Sequence, residues 1–151
     1  MNHSLLFSKL DALQIDTRTV KCIQSYLSNR EFCVKINDVF SSPAPCPSGV
    51  PQGSSLGPLL FRIFVLDIKS ILPPGVKHKV YADDLKIYGR SGETSQVDAI
   101  QTAIGSIQGW CNDNDMVLSV PKCAVLSSSR EPHTYKLSND TIPVLKSTFR
   151  T

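Results

Sequence analysis

Val80-Tyr81-Ala82-Asp83-Asp84-Leu85-Lys86-Ile87-Tyr88 is the stretch from which the rest of the chain can be read. Val80-Tyr81-Ala82 and Leu85-Lys86-Ile87-Tyr88 are strand-like runs, and only Asp83-Asp84 separates them. A two-residue separation makes a tight antiparallel hairpin, and Asp tolerates the left-handed backbone that such turns need. Two carboxylates at one hairpin tip repel each other, so their pKa values shift unless a cation neutralises them. Mg2+ seeks oxygen ligands of this kind, usually one or two carboxylates plus phosphate oxygens of a substrate. Two such ions can clamp the attacking and leaving oxygens of an in-line phosphoryl displacement. Asp is also a favoured turn residue, so the dipeptide alone fits a solvated turn as well.

Upstream of the hairpin, Pro73-Pro74-Gly75 stops a helical pattern that starts at Ser55. Leu56, Leu59, Leu60, Ile63, Phe64 and Ile68 share one face of it, and Pro58 fits only in its first turn. Gly49-Val50-Pro51-Gln52-Gly53-Ser54 leads into that helix. Gly49 and Gly53 allow unusual backbone angles and a close ligand approach, and Pro51 stiffens the loop. Gln52 offers an amide that both donates and accepts. A helix N-terminus with free N–H groups favours anions. A plain connection between loop and helix explains the same residues, and physical chemistry alone does not choose.

Further upstream, residues 41–47 hold three prolines and read as an extended loop. Phe32, Val34 and Ile36 alternate with polar or small residues as in a half-buried strand, followed by an Asn37-Asp38 turn and a return at Val39-Phe40. Asp16 is a candidate N-cap for a helix with Val20, Ile23 and Leu27 on one face, ended by Asn29-Arg30. Leu5, Leu6, Leu10 and Leu13 mark a short amphipathic helix before it. Downstream, a helix opens at Ser91-Gly92 and runs to Trp110, with Val97, Ile100, Ile104 and Ile107 inward and Trp110 in the core. Residues 116–118, 124–126 and 135–137 are strand-like. Helices and strands mix without strict alternation, so the fold class is α+β with an antiparallel sheet.

A chain of 151 residues favours one domain over residues 1–151. Its 41% hydrophobic and 19% charged residues exclude a disordered chain. The net charge of +3 permits a nucleic-acid partner without demanding one. Cys22, Cys33, Cys46, Cys111 and Cys123 lack paired spacing, which argues against a disulfide framework or zinc ribbon. They read as free, mostly buried thiols in a reducing compartment. His3, His78 and His133 are unclustered. The apolar run at residues 59–66 is too short to span a bilayer, and the start shows no secretory signal. The expected protein is soluble and intracellular, cytoplasmic or nuclear, with no membrane partner.

Gly49-Val50-Pro51-Gln52-Gly53-Ser54-Ser55-Leu56-Gly57-Pro58-Leu59-Leu60-Phe61 closely resembles the motif that reverse transcriptases of non-LTR retrotransposons carry before their catalytic hairpin, and Tyr81-Ala82-Asp83-Asp84 resembles the hairpin motif itself. Order and spacing both match. Weaker likenesses lie in Asn2-His3-Ser4-Leu5-Leu6, Ser25-Tyr26-Leu27-Ser28-Asn29-Arg30 and residues 110–122. The resemblance implies a partial polymerase palm in an RNA-directed DNA polymerase acting on an RNA template, a DNA primer and deoxynucleoside triphosphates. Asp83 and Asp84 would be catalytic metal ligands for two Mg2+ ions. Gly49, Pro51, Gln52, Gly53 and Tyr81 would contact nucleotide, template or primer, and Lys122 would lie near the leaving pyrophosphate. In the family a first catalytic aspartate precedes the Asn-His segment, a position that falls before Met1; fingers and thumb also lie outside this chain. The expectation is therefore a fragment of marginal stability, inactive alone or dependent on the rest of the polymerase. Phe32, Val34 and the inner face of the hairpin are expected to be partly exposed. The competing readings are a non-enzymatic nucleic-acid-binding or interaction module of retrotransposon descent, an accidental Asp-Asp turn, and a nuclease of the same element.

Overall fold

The computed structural model describes residues 1–90, 94–127 and 132–146, and the chain divides into two compact units, Met1–Leu66 and Asp67–Thr151. The first unit is built on three helices. Helix α1 (His3–Ala12) starts where the Asn2 side chain accepts from the Ser4 and Leu5 amides. Helix α2 (Thr17–Leu27) starts at Asp16, whose carboxylate accepts from the Arg18 and Thr19 amides, the N-cap role expected of it. Asn29 leaves α2 at φ +53°. Leu6, Leu10, Val20, Ile23 and Leu27 form the buried stripe of the two helices.

Four two-residue strands follow: β1 (Glu31–Phe32), β2 (Lys35–Ile36), β3 (Val39–Phe40) and β4 (Ala44–Pro45). β2 and β3 pair across the expected Asn37-Asp38 turn, with Asn37 at φ +52°. The proline-rich loop differs from expectation. Ala44 and Pro45 pair antiparallel with β1, and the Cys46 amide reaches the Arg30 carbonyl at 2.7 Å. Pro45 carries no N–H, which an edge strand tolerates. The expected half-buried strand is also corrected. Phe32, Val34, Ile36, Val39 and Phe40 are all exposed, because each ribbon has two strands and nothing among the described residues covers them.

Helix α3 (Gly57–Phe64) is shorter than the pattern from Ser55 to Ile68 suggests. It begins with Pro58 in its first turn, ends at Phe64, and is followed by a 3-10 helix, Leu66–Ile71. Leu60, Phe64 and Ile68 are buried, while Leu56, the N-cap residue, and Leu59 in the first turn are exposed, so only part of the expected apolar face is covered. Lys9 donates to the Phe64 carbonyl at 2.8 Å and sits over its ring, tying α1 to the end of α3.

The second unit sets an antiparallel hairpin, β5 (Lys77–Tyr81) and β6 (Asp84–Tyr88), beside helix α4 (Thr94–Asp113). The expected opening of this helix at Ser91-Gly92 lies outside the described residues. Ile100, Ala103, Ile107, Trp110 and Cys111 are buried along α4, and the Trp110 indole donates to Asp67 at 3.1 Å. Ribbon β8–β9 (Lys136–Leu137 and Asp140–Thr141) is fastened to α4 by Gln101, whose amide exchanges two 2.9 Å hydrogen bonds with the Lys136 backbone.

Strand β7 (Val125–Ser127) pairs with β10 (Val144–Lys146) in parallel, against the expected all-antiparallel sheet. Residues 116–118 form no strand. They lead into a 3-10 turn, Val120–Lys122, where Pro121 fixes the backbone. The α+β class holds, as small ribbons rather than one sheet. The cysteines also depart from expectation: all five are free, but Cys22, Cys33 and Cys46 are exposed, and only Cys111 is buried. Cys22 lies on the solvent side of α2, and the other two lie in the segments that flank the uncovered ribbons.

Candidate functional site

The hairpin tip is shifted by one residue from its sequence reading. Tyr81 pairs with Asp84, so the turn is Ala82-Asp83, and Asp84 already begins β6. The left-handed angle expected on Asp falls on Ala82, at φ +50°. An alanine pays a steric cost there that Asp or Gly would feel less. Sparsely populated backbone of this kind collects at functional sites.

Strand alternation sorts the hairpin into two faces. The cross-strand pairs His78–Ile87 and Val80–Leu85 make one face, where His78, Leu85 and Ile87 are half-buried. The pairs Lys77–Tyr88, Lys79–Lys86 and Tyr81–Asp84 make the other, and all six side chains are exposed. Lys79 directly opposes Lys86, a like-charge pairing that destabilises a ribbon. Tyr81 is 84% exposed, the most open aromatic of the hairpin. Asp83 is exposed beside this face. The carboxylates of Asp83 and Asp84 make no hydrogen bond or ion pair with another described residue. Their lone pairs are open to a hard cation. Among the described residues no group of three or more His, Cys, Asp or Glu is gathered as a metal site.

In the first unit, residues 49–57 form the loop before α3. Gly49 and Gly53 adopt φ +86° and +73°, angles that a side chain would strain. Two anchors hold Gly49: its amide donates to the Met1 carbonyl at 2.8 Å, and His3 Nε2–H donates to its carbonyl at 2.8 Å. The Ser54 hydroxyl donates to the Pro51 carbonyl at 2.7 Å and accepts from the Gly57 amide at 3.0 Å. This closes the loop just ahead of α3, whose N-cap residue, Leu56, makes no side-chain cap. A Cβ at Gly57 would stand 2.9 Å from Ser54 Oγ and 3.2 Å from the Pro51 carbonyl oxygen, so that position has no room for a side chain. Gln52 and Gly53 are left exposed at the turn.

The expected anion preference of the α3 N-terminus is weakened. The Gly57 N–H is already taken by Ser54, and Pro58 has none. His3, Ser54 and Gly57 are the positioning residues that the sequence reading passed over. For the serine the only readable signal is its short reach, since a Ser hydroxyl readily bonds backbone groups three residues away. For the histidine, 46 residues from its partner, no local signal exists.

The structure therefore brings Gly49, Pro51, Gln52 and Gly53 together in the first unit, and Tyr81, Asp83 and Asp84 in the second. Lys122 ends the 3-10 turn after α4 and is exposed; no hydrogen bond or ion pair joins it to the hairpin among the described residues.

The chain belongs to the reverse transcriptase (RNA-dependent DNA polymerase) family, whose model matches residues 1–142. It is similar to the RNA-directed DNA polymerase from mobile element jockey of Drosophila melanogaster, with 30% identity over 68% of this chain and 12% of the relative. It is likewise similar to the jockey polymerase of Drosophila funebris, with 30% identity over 81% of this chain and 14% of that protein. The probable RNA-directed DNA polymerase from transposon BS of Drosophila melanogaster is 31% identical over 59% of this chain and 11% of the relative. The chain thus spans about an eighth of the length of these relatives. No helix among the described residues is long and apolar enough to cross a membrane.

Proposed function

We propose that this chain is part of the palm of an RNA-directed DNA polymerase that extends a DNA primer on an RNA template, with Asp83 and Asp84 as the carboxylates that hold Mg2+. The observation that carries the reading is the hairpin tip. Asp83 and Asp84 stand exposed at the tip of a two-stranded hairpin, without a side-chain partner among the described residues, beside a face bearing Lys77, Lys79 and Lys86. Two oxygen donors fit a cation that takes the rest of its ligands from substrate phosphates and water. When bound, two such ions would supply charge neutralisation at the attacking and leaving oxygens of the phosphoryl transfer.

The chain's own residues orient the substrates. Gln52, held out by the Gly49–Gly53 turn geometry, offers donor and acceptor to the incoming nucleotide or template, and Pro51 stiffens its support. Tyr81, on the same face as Asp84, offers an open ring to the primer end. Lys122 brings positive charge, or a proton, to the leaving pyrophosphate. The three lysines of the hairpin face suit a phosphate backbone, which would relieve the opposition of Lys79 and Lys86. The partners are an RNA template, a DNA primer, deoxynucleoside triphosphates and the remainder of the polymerase, in the cytoplasm or nucleus. The chain alone is proposed to be inactive: two carboxylates place a reacting phosphate poorly, and misplacement by about 1 Å costs on the order of a hundredfold in rate.

Primer extension on an RNA template, with Mg2+ and deoxynucleotides, tests this. The assay compares the chain alone, the chain within its full polymerase, and that polymerase carrying Asp83→Ala/Asp84→Ala. Activity is expected in the full polymerase, with a loss on the order of a hundredfold or more in the double variant. Undiminished extension by the double variant would remove both aspartates from the reaction. Robust extension by the chain alone would overturn its proposed inactivity. Salt-dependent binding of nucleic acid without any Mg2+-dependent synthesis would favour a non-enzymatic binding module instead.

A further inference from the structure

The hairpin carries a second feature at the end away from its carboxylates. A cavity of about 360 Å³ is lined by Gly75, Lys77, Tyr88, Gly89, Arg90 and Gln96. It lies at the base of the hairpin, where Lys77 pairs with Tyr88, roughly 14 Å along the strands from the tip. Its volume is at the lower end of the range of small-molecule sites.

Each part of the lining has a chemical meaning. Lys77 and Arg90 put two cations at one cavity, and neither has an ion-pair partner among the described residues. Tyr88, 43% exposed, offers a ring face. The Gln96 amide lies between two glycines. A Cβ at Gly89 would stand 2.6 Å from Gln96 Oε1, and one at Gly75 would stand 3.3 Å from its Nε2. A side chain at Gly89 would push the amide out of this position, and one at Gly75 would crowd it. Its Oε1 is nevertheless buried with no hydrogen-bond partner. Buried acceptors are rarely left unmet, and such an atom signals a missing donor. The terminal torsion of a glutamine is soft, so a small rotation turns this oxygen toward the space that the rest of the side chain lines.

We propose that this cavity is a nucleotide-binding subsite separate from the Asp83-Asp84 tip. Lys77 and Arg90 take the phosphate, Tyr88 stacks on the base, and Gln96 Oε1 accepts from a base N–H. An anion alone would leave the amide and the ring unused, and a neutral aromatic would leave both cations unused. A nucleoside phosphate uses all four groups. Every base has a stacking face and a donor, so the site holds nucleotides with little choice among bases. The inference goes beyond the polymerase reading: the two share Lys77 alone, and neither carboxylate takes part.

The test is a titration of the 15N-labelled chain with AMP in metal-free buffer, followed by NMR. Saturable shifts are expected at the Gly75 and Gly89 amides and at the Gln96 side-chain NH2. Lys77→Ala/Arg90→Ala should weaken binding at least about tenfold, the factor that 1.4 kcal/mol of lost interaction produces. Gly89→Ala should weaken AMP binding while leaving the fold intact by circular dichroism, because the only severe contact is with the end of a flexible side chain. Two further probes identify the source of the nucleotide. A four-residue adenosine strand binding tenfold more tightly than AMP would mark a strand subsite, and equal affinities would mark a site for free nucleotide. No saturable shift with either probe, shifts undiminished in the double variant, or inorganic phosphate binding as tightly as AMP would each overturn the proposal. The titration contains no Mg2+, so its failure is distinct from failure of primer extension.

Discussion

Cys111 is buried on α4, and loss of solvent pushes its thiol above the ordinary range, while Cys22, Cys33 and Cys46 are exposed. Only the thiolate reacts with an alkylating agent, so burial protects Cys111 twice, by access and by protonation. Brief treatment with iodoacetamide at pH 8 should label Cys22, Cys33 and Cys46 first and Cys111 last, as read by peptide mass spectrometry; early labelling of Cys111 would mean that α4 opens readily. The same scale explains why some functional residues were legible and others were not. Asp83, Asp84 and Gln52 stand in a recognisable local string. His3 acts on Gly49 only because the chain folds back, and its role is invisible without the tertiary contact.

At the scale of the element, the Ala82-Asp83 turn and the Asp16 cap each make a prediction. Ala82 at φ +50° is costly for any residue with a Cβ, by about 1 kcal/mol. Ala82→Gly should therefore raise stability by up to about 1 kcal/mol, less what glycine's freedom adds to the unfolded chain. Slower hydrogen exchange at the hairpin amides would show it, and faster exchange would mean that the turn is unstrained. The Thr19 hydroxyl, then the Thr19 amide, hold the Asp16 carboxyl below its ordinary value of 3.8. A carboxyl lowered in the folded state stabilises above its unfolded value, and that contribution is lost as pH falls through the folded one. Asp16→Ala should lower the urea midpoint at pH 7, and the gap to the parent chain should close as pH drops below 3.8. A gap independent of pH would assign the effect to helix propensity instead. The hairpin was placed from sequence to within one residue, because period-two alternation fixes faces but not which residue takes the left-handed angle.

Across the molecule, the notable surface is the ribbon pair β1–β4 and β2–β3. Phe32, Val34, Ile36, Val39 and Phe40 are between 51% and 73% exposed. Large apolar side chains clustered on open strand edges invite association. Ile36→Lys/Phe40→Ser should raise the concentration at which the chain stays monodisperse in light scattering, with little change in its thermal midpoint. A large fall in the midpoint would show that these side chains are part of a core. By contrast, Leu6, Leu10, Leu60 and Phe64 are almost fully buried, so the first unit's helical part has its own core.

The sequence by itself determined the helices, the two motifs and the family, because periodicity, caps and turn residues are local and a motif string keeps its order whatever the fold does with it. Only the tertiary structure decided the parallel pairing of β7 with β10, the 3-10 end of α3, the exposure of three cysteines and the ribbon side chains, and the hold of His3 on Gly49. Those depend on which surfaces meet across tens of residues. Covering a strand or leaving it open is settled by neighbours distant in the chain, and no local pattern encodes it.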